Sequence, residues 1–220
     1  MRPTHYPFVA IPESVKKQVE KLQLHILFPD DDDDDDDKKF RDLGHLMTNV
    51  SYLHLTLGLF HIYEGIEDNL TKIAESILKQ EMNKLTPPHF DIELKGIGNF
   101  GGNVIFVEVE KSNVLMNLRR NIITEFKKNG IFLADERDYN PHITIFQMPY
   151  GKRCDDVERV KKAISKVNLP KFEKIRVNEL HFSAILSAIK RKEKLKKRVF
   201  EGERENTSDY SFFLHEKGCD

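Results

Sequence analysis

The order of elements along the chain predicts an α/β or α+β fold built from two sheet-and-helix lobes. Three observations carry that prediction. Stretches with helical spacing alternate with β-rich stretches from end to end. Two pairs of neighbouring strands read as hairpins. No shift of composition marks a linker, so the 220 residues read as one domain, 1–220, and at 39% apolar they can fill a core.

The elements follow in order. Tyr6 to Ile11 (YPFVAI) is a short apolar run stopped by Pro12, and reads as a strand. Between Glu13 and Phe28, Val15, Val19, Leu22 and Ile26 fall on one helical stripe. Asp30 to Asp37 is then an unbroken acidic run; adjacent carboxylates repel and bury nothing, so it reads as a disordered surface loop. Tyr52 to Phe60 (YLHLTLGLF) alternates like a strand, and Leu70, Ile73, Ala74, Ile77, Leu78 and Met82 form a second helical stripe closed by Pro87 and Pro88. Phe90 to Ile97 and Val104 to Val109 read as strands joined by the glycine-rich turn at 98–103. Leu115, Leu118, Ile122 and Phe126 mark a third helix, with Gly130 placed to end it. Pro141 to Met148 is a strand, Val157, Val160, Ile164 and Val167 mark a fourth helix, and Val177 to Ile185 and Tyr210 to His215 read as the last strands.

Composition narrows the function. No apolar run approaches the ~20 residues of a membrane span, and the N-terminal MRPTHYPFVAIPE has no signal-peptide core. Cys154 and Cys219 are too few for a disulfide framework or a Cys-rich zinc site. The expected setting is intracellular, cytoplasmic or nuclear. The net charge of −1 includes the whole Asp run, so the rest of the chain is net basic. Lys190, Arg191, Lys192, Lys194, Lys196, Lys197 and Arg198 concentrate that charge, and read as a solvated hairpin or helix end, an RNA-contacting edge, or a nuclear import signal.

One short pattern occurs twice: His54-Leu55-Thr56-Leu57 and His142-Ile143-Thr144-Ile145. Side chains alternate faces along a strand, so each copy puts His and Thr on one face and aliphatics on the other. With nine His in 220 residues, about 0.3 His-x-Thr triplets arise by chance, and two copies with apolar residues in all four flanking slots arise in roughly one chain in a thousand. Either copy alone fits a half-buried strand histidine. Together, from facing lobes, they place two imidazoles and two hydroxyls around one cleft. An imidazole ionises near neutral pH, so one can act as base and the other as acid, while Thr hydroxyls donate to anionic oxygens. That set suits displacement at phosphorus, with no metal or other cofactor required.

The paired motifs resemble those of the two-histidine phosphoesterase superfamily. The chain looks most like the central domain of A-kinase anchoring proteins of the nuclear-localisation-domain type, and the related domain of the activating signal cointegrator complex subunit. The likeness runs from about Tyr6 to His215 through FVAIPE, LHLTLGLF, GIGNFGGNVIFVEV, GIFLADERDYNPHITIFQM and VNELHFSAI. It implies an α+β, bilobal fold: two antiparallel sheets flanked by helices, with a central cleft. It also implies a phosphodiesterase acting on nucleotides or short oligonucleotides, 2′,5′-linked or cyclic, with His54 and His142 catalytic and Thr56 and Thr144 binding phosphate. The alternative is a domain that binds an AMP-like mononucleotide without turnover. The RNA-binding module that precedes the domain in the cointegrator relatives is not expected here. The helical stripe beyond Ile185 is poor, which makes kinase anchoring doubtful.

Strict alternation would carry the His faces on to Phe60 and Phe146, where an aromatic could stack on a base or simply fill the core. Arg137 and Tyr139, just ahead of the second motif, are candidate phosphate or base contacts or plain loop residues. The remaining histidines show no zinc-ligand spacing; His181, in a predicted strand, is the least secure of these exclusions.

Overall fold

The computed structural model describes residues 3–28, 41–63, 65–101, 104–147, 158–159, 162, 164–165 and 171–185. The acidic run, the basic stretch at 190–198, most of the fourth helical stripe and the strand expected at Tyr210 to His215 lie outside them.

Ten strands and three α-helices are present among the described residues. They are β1 (His5–Ala10), α1 (Glu13–Leu27), β2 (His54–Thr56), β3 (Phe60–His61), α2 (Glu67–Asn83), β4 (Phe90–Ile92), β5 (Leu94–Phe100), β6 (Val104–Val109), α3 (Asn113–Lys128), β7 (Phe132–Leu133), β8 (His142–Gln147), β9 (Ile175–Val177) and β10 (His181–Ala184). Short 3₁₀ segments at Arg41–Leu46 and Val50–Tyr52 precede β2. One sheet runs β10-β1-β3-β7, with β2 also paired to β1; a second runs β5-β6-β8; β4 and β9 form a two-stranded ribbon. All ladders are antiparallel. The fold is α+β.

The helices bury the stripes that their spacing predicts. In α1 these are Val15, Val19, Leu22 and Ile26, and in α3 Leu115, Leu118, Ile122 and Phe126. Ser112 caps α3 by accepting from the Leu115 N–H at 3.3 Å. Gly130, at φ +78°, lets the chain turn out of the helix, a conformation that costs other residues a Cβ clash. α2 and α3 pack together over the first sheet, through β10 and β7. α1 instead reaches the second sheet: buried Gln23 donates from Nε2 to the Ile145 carbonyl of β8 at 2.7 Å and to the Thr48 carbonyl at 2.9 Å.

Two strands end sooner than the sequence suggests. Phe90 to Ile97 divides at Glu93, with β4 pairing to β9 while β5 pairs to β6. Val177 to Ile185 divides likewise, because β9 joins the ribbon and β10 joins the first sheet. The ribbon therefore leads into both sheets. It carries charge pairs across its strands, Arg176 with Asp91 at 3.3 Å and Lys174 with Glu93. No helix of the described residues is long and apolar enough to cross a membrane.

Candidate active site

β2 and β8, the strands that carry the two motifs, lie beside each other although no ladder joins them. Directly opposed residues of an antiparallel pair share a face. Phe8 faces Thr56 on one side and His181 on the other, Ala10 faces His54, and Tyr6 faces Ser183. One half-exposed face of the first sheet thus carries Tyr6, Phe8, His54, Thr56, His181 and Ser183, while Val9, Leu55 and Leu57 are buried behind it. In the second sheet Glu108 faces His142 and Phe106 faces Thr144. Ile143 and Ile145 are fully buried on the opposite side.

Each histidine is held in the same way. The Nδ1 of His54 sits 2.6 Å from the Tyr52 carbonyl, and that of His142 sits 2.7 Å from the Asn140 carbonyl. A carbonyl only accepts, so both Nδ1 atoms carry the proton, and in the neutral ring Nε2 keeps its lone pair. Aromatic walls fix the ring planes. His54 lies 5.0 Å from Tyr6 and 5.6 Å from Phe8, and His142 lies 4.8 Å from Phe100 and 5.0 Å from Phe106. Burial holds the His142 imidazole below its ordinary pKa; the Asn140 carbonyl opposes this, and the nearby His54 charge adds to it. The His54 ring is therefore close enough for its charge to bear on His142. His54, Thr56, His142 and Thr144 thus stand half-exposed on two neighbouring strands.

Phe60 and Phe146 are not on the His faces, contrary to strict alternation. Both rings are 0% exposed, so neither is available to stack on a base. The reason is the same in both strands. Phe8 opposes Thr56 and His5 opposes Phe60, so β1 advances three residues while its partner advances four. Likewise Phe106 opposes Thr144 and Ile105 opposes Phe146, one residue against two. Each motif is followed by a β-bulge that turns the next phenylalanine into the core. Phe60 meets Phe126 of α3 at 4.9 Å. The first bulge contains Gly58, where a Cβ would lie 2.9 Å from the Phe60 ring.

The two loop residues, read as candidate ligand contacts or plain loop residues, are held in different ways. Arg137 is exposed and forks onto Asp135 of its own loop, at 2.9 Å from Nε and 2.7 Å from Nη2. That contact holds the Asp135 carboxyl below the usual range. The Tyr139 hydroxyl donates 2.9 Å to the Thr56 carbonyl, and its ring lies 4.1 Å beneath the Arg119 guanidinium. Sequence reasoning did not assign Tyr6, Phe8, Phe100, Phe106 or Arg119 to the site, and His181 was set aside. The period of YPFVAI places Tyr6 and Phe8 on one face, but which face depends on pairing with β2 and β10.

A 110-residue stretch, 48% of the chain, is 26% identical to human A-kinase anchor protein 7 isoform gamma, and spans 32% of that protein. E. coli LigT complexed with 3′-AMP superposes with a TM-score of 0.54 at 18% identity, over 83% of this chain and 87% of that one. The PDE domain of MHV ns2 gives 0.51 at 14% identity, over 84% and 99%, and TT0787 of Thermus thermophilus gives 0.52 at 15%, over 83% and 94%. These solved structures share the fold of this chain. The family model for the AKAP7 2′5′ RNA ligase-like domain matches residues 3–196. The chain belongs to the AKAP7 2′5′ RNA ligase-like family.

Proposed function

We propose that this protein is a phosphodiesterase acting on nucleotides or short oligonucleotides, 2′,5′-linked or cyclic, by acid–base catalysis between two histidines without a metal. The observation that carries the reading is the matched pair of imidazoles, each with Nδ1 tied to the carbonyl two residues upstream. That tie leaves Nε2 of each as the working atom. Binding alone has no use for two imidazoles fixed in this way on neighbouring strands.

The roles follow from the surroundings. His142, kept below its ordinary pKa, is the neutral partner and the general base. His54 is the acid. At a 2′,5′ linkage the neighbouring 3′-hydroxyl attacks phosphorus and gives its proton to Nε2 of His142. The P–O5′ bond breaks, and the departing oxygen takes the proton from Nε2 of His54. The products are a 2′,3′-cyclic phosphate and a free 5′-hydroxyl. With a cyclic phosphate as substrate, water takes the place of the attacking hydroxyl. The Thr56 and Thr144 hydroxyls donate to the non-bridging oxygens as charge builds there. Tyr6 and Phe8 beside His54, and Phe100 beside His142, give bases on either side of the phosphate a surface to stack on, worth ~1–3 kcal/mol per base. The 3′-AMP held by LigT and the PDE designation of the MHV ns2 domain support a nucleotide phosphodiester as the ligand class.

The test is a panel of 2′,5′- and 3′,5′-linked dinucleotides and 2′,3′-cyclic phosphates, with and without EDTA. The expected result is EDTA-resistant cleavage of at least one class, lost by ~10²-fold or more in His54→Ala and in His142→Ala. Full activity in either variant overturns the reading. If no product forms, while AMP binds as well to the His variants as to wild type but weakly to Thr56→Val plus Thr144→Val, the domain is a nucleotide binder.

A further inference from the structure

The two motif strands belong to different sheets, yet acid and base must stand at a fixed separation. β2 and β8 share no ladder, so something else must set the spacing. The bulge after Thr56 breaks the ladder with β1, and the carbonyls at the break are met by side chains from elsewhere. The Thr56 carbonyl accepts from the Tyr139 hydroxyl at 2.9 Å, and the Leu57 carbonyl accepts from Arg119 Nε at 2.8 Å. Tyr139 stands three residues before His142 and one before Asn140, whose carbonyl holds the His142 ring at 2.7 Å. The Tyr139 hydroxyl therefore joins the backbone of the first motif to the turn that aims the second histidine, while the Thr48 N–H, bonded 2.9 Å to the Ile145 carbonyl, ties the lead-in of β2 to β8 itself.

Tyr139 is suited to that task. Burial raises its phenol pKa, so the hydroxyl stays a donor throughout the working range of pH. The Arg119 guanidinium lies over the ring face at 4.1 Å and fixes the ring plane from α3. Burial lowers the Arg119 pKa, and the nearby Tyr139 and Asp135 oppose that shift.

We propose that Tyr139, backed by Arg119, is a positioning residue that sets the separation of His54 and His142 by tying the Thr56 carbonyl to the approach of β8. It touches no substrate. The inference rests on the proposed phosphodiesterase reading for its kinetic consequence, but its geometric content stands apart from it.

Tyr139→Phe tests this, since it keeps the ring and the contact with Arg119 and removes only the donor. Two measurements are needed. In the first, kcat falls by ~10-fold with KM little changed, as expected when reacting groups are displaced but substrate contacts are kept. In the second, the His142 ring is titrated by NMR in four proteins: wild type, His54→Ala, Tyr139→Phe and the double variant. The groups facing His142 are His54, Glu108, the Asn140 carbonyl, and the Phe100 and Phe106 rings. The substitution is expected to move His54 relative to the ring, and any shift of the Asn140 carbonyl is common to the variants with and without His54 and cancels in their difference. The difference in His142 pKa that His54 imposes therefore shrinks by half or more in the Tyr139→Phe background. An undiminished difference overturns the proposal, even if kcat falls, because a loss of general stability would not change that difference selectively. If wild type proves inactive on every phosphodiester, the phosphodiesterase reading fails and the titration alone decides this one. Arg119→Lys, which keeps the charge but loses Nε and the planar stack, is expected to reproduce part of both effects.

Discussion

β2 and β8 hold the same four-residue pattern, and the structure builds the same local device from each. A histidine Nδ1 is tied back two residues, a threonine follows on its face, and a bulge then sends a phenylalanine into the core. What differs is the surroundings. His54 stands at the mouth of a face lined by Tyr6 and Phe8, in a strand of only three residues. His142 lies in a six-residue strand and is walled by Phe100 and Phe106, deep enough for burial to lower its pKa. On the proposed mechanism, a duplicated motif in two environments lets one residue type supply both a base and an acid, with burial making His142 the base.

The largest effect tests that division of roles. His142→Ala and His54→Ala are each expected to lose ~10²-fold or more on an ordinary dinucleotide. A substrate with an activated leaving group, such as a nitrophenyl ester, separates them. It needs no proton donor, so it restores most of the rate to His54→Ala and none to His142→Ala. Rescue of His142→Ala instead would exchange the two roles. The pH profile carries the same sign. A base must be unprotonated, and His142 releases its proton below the ordinary imidazole range. The acid limb of kcat/KM is therefore expected below that range, and it is absent from the residual activity of His142→Ala.

A smaller effect compares the threonines. Thr56→Val and Thr144→Val each remove one hydroxyl donor to a charged oxygen while keeping the branch, a loss of ~1.5–3 kcal/mol, or roughly tenfold and upward in kcat/KM. Thr144 lies across from Phe106, and Thr56 lies across from Phe8. Both threonines are half-exposed in the structure, so losses of similar size are expected on the same substrate. A loss confined to one of them would mean that only that hydroxyl meets the phosphate.

Much of this was legible in the residues. The stripes of α1 and α3 appear in the structure as read, because helical period needs no knowledge of a partner. The His-x-Thr-x faces were legible for the same reason, since period two is local. The bulges were legible only in part: Gly58 allows one after the first motif, but no residue marks the second. FHIYEG and FQMPYG continue the β-rich pattern without interruption, and the extra residue exists only relative to β1 and β6. Phe60 and Phe146 were therefore assigned to the wrong face. The breaks at Glu93 and after Val177 were hidden likewise: FDIELKGI reads as one strand, and only pairing with β9 and β6 divides it. Tyr139 shows the limit best. Its type suggested a base contact, while its actual partner is a backbone carbonyl 83 residues away.

The smallest effect separates the two bulged regions at their glycines. A Cβ at Gly58 would lie 2.9 Å from the Phe60 ring, and one at Gly98 would lie 2.5 Å from Cε2 of Phe106. Both contacts are too close, so Gly58→Ala and Gly98→Ala are each expected to cost ~1–3 kcal/mol of stability, read from denaturant midpoints. Only one should reach the proposed chemistry. Phe60 is committed to the core against Phe126, whereas Phe106 is packed 5.0 Å from His142 and 4.3 Å from Phe100. Displacing Phe106 opens the wall of His142 to water, weakens the burial that lowers its pKa, and moves the acid limb of activity upward in pH. Gly58→Ala leaves the limb in place. If both variants moved it, or neither did, the burial of His142 by its aromatic wall would not be the source of the difference between the two histidines.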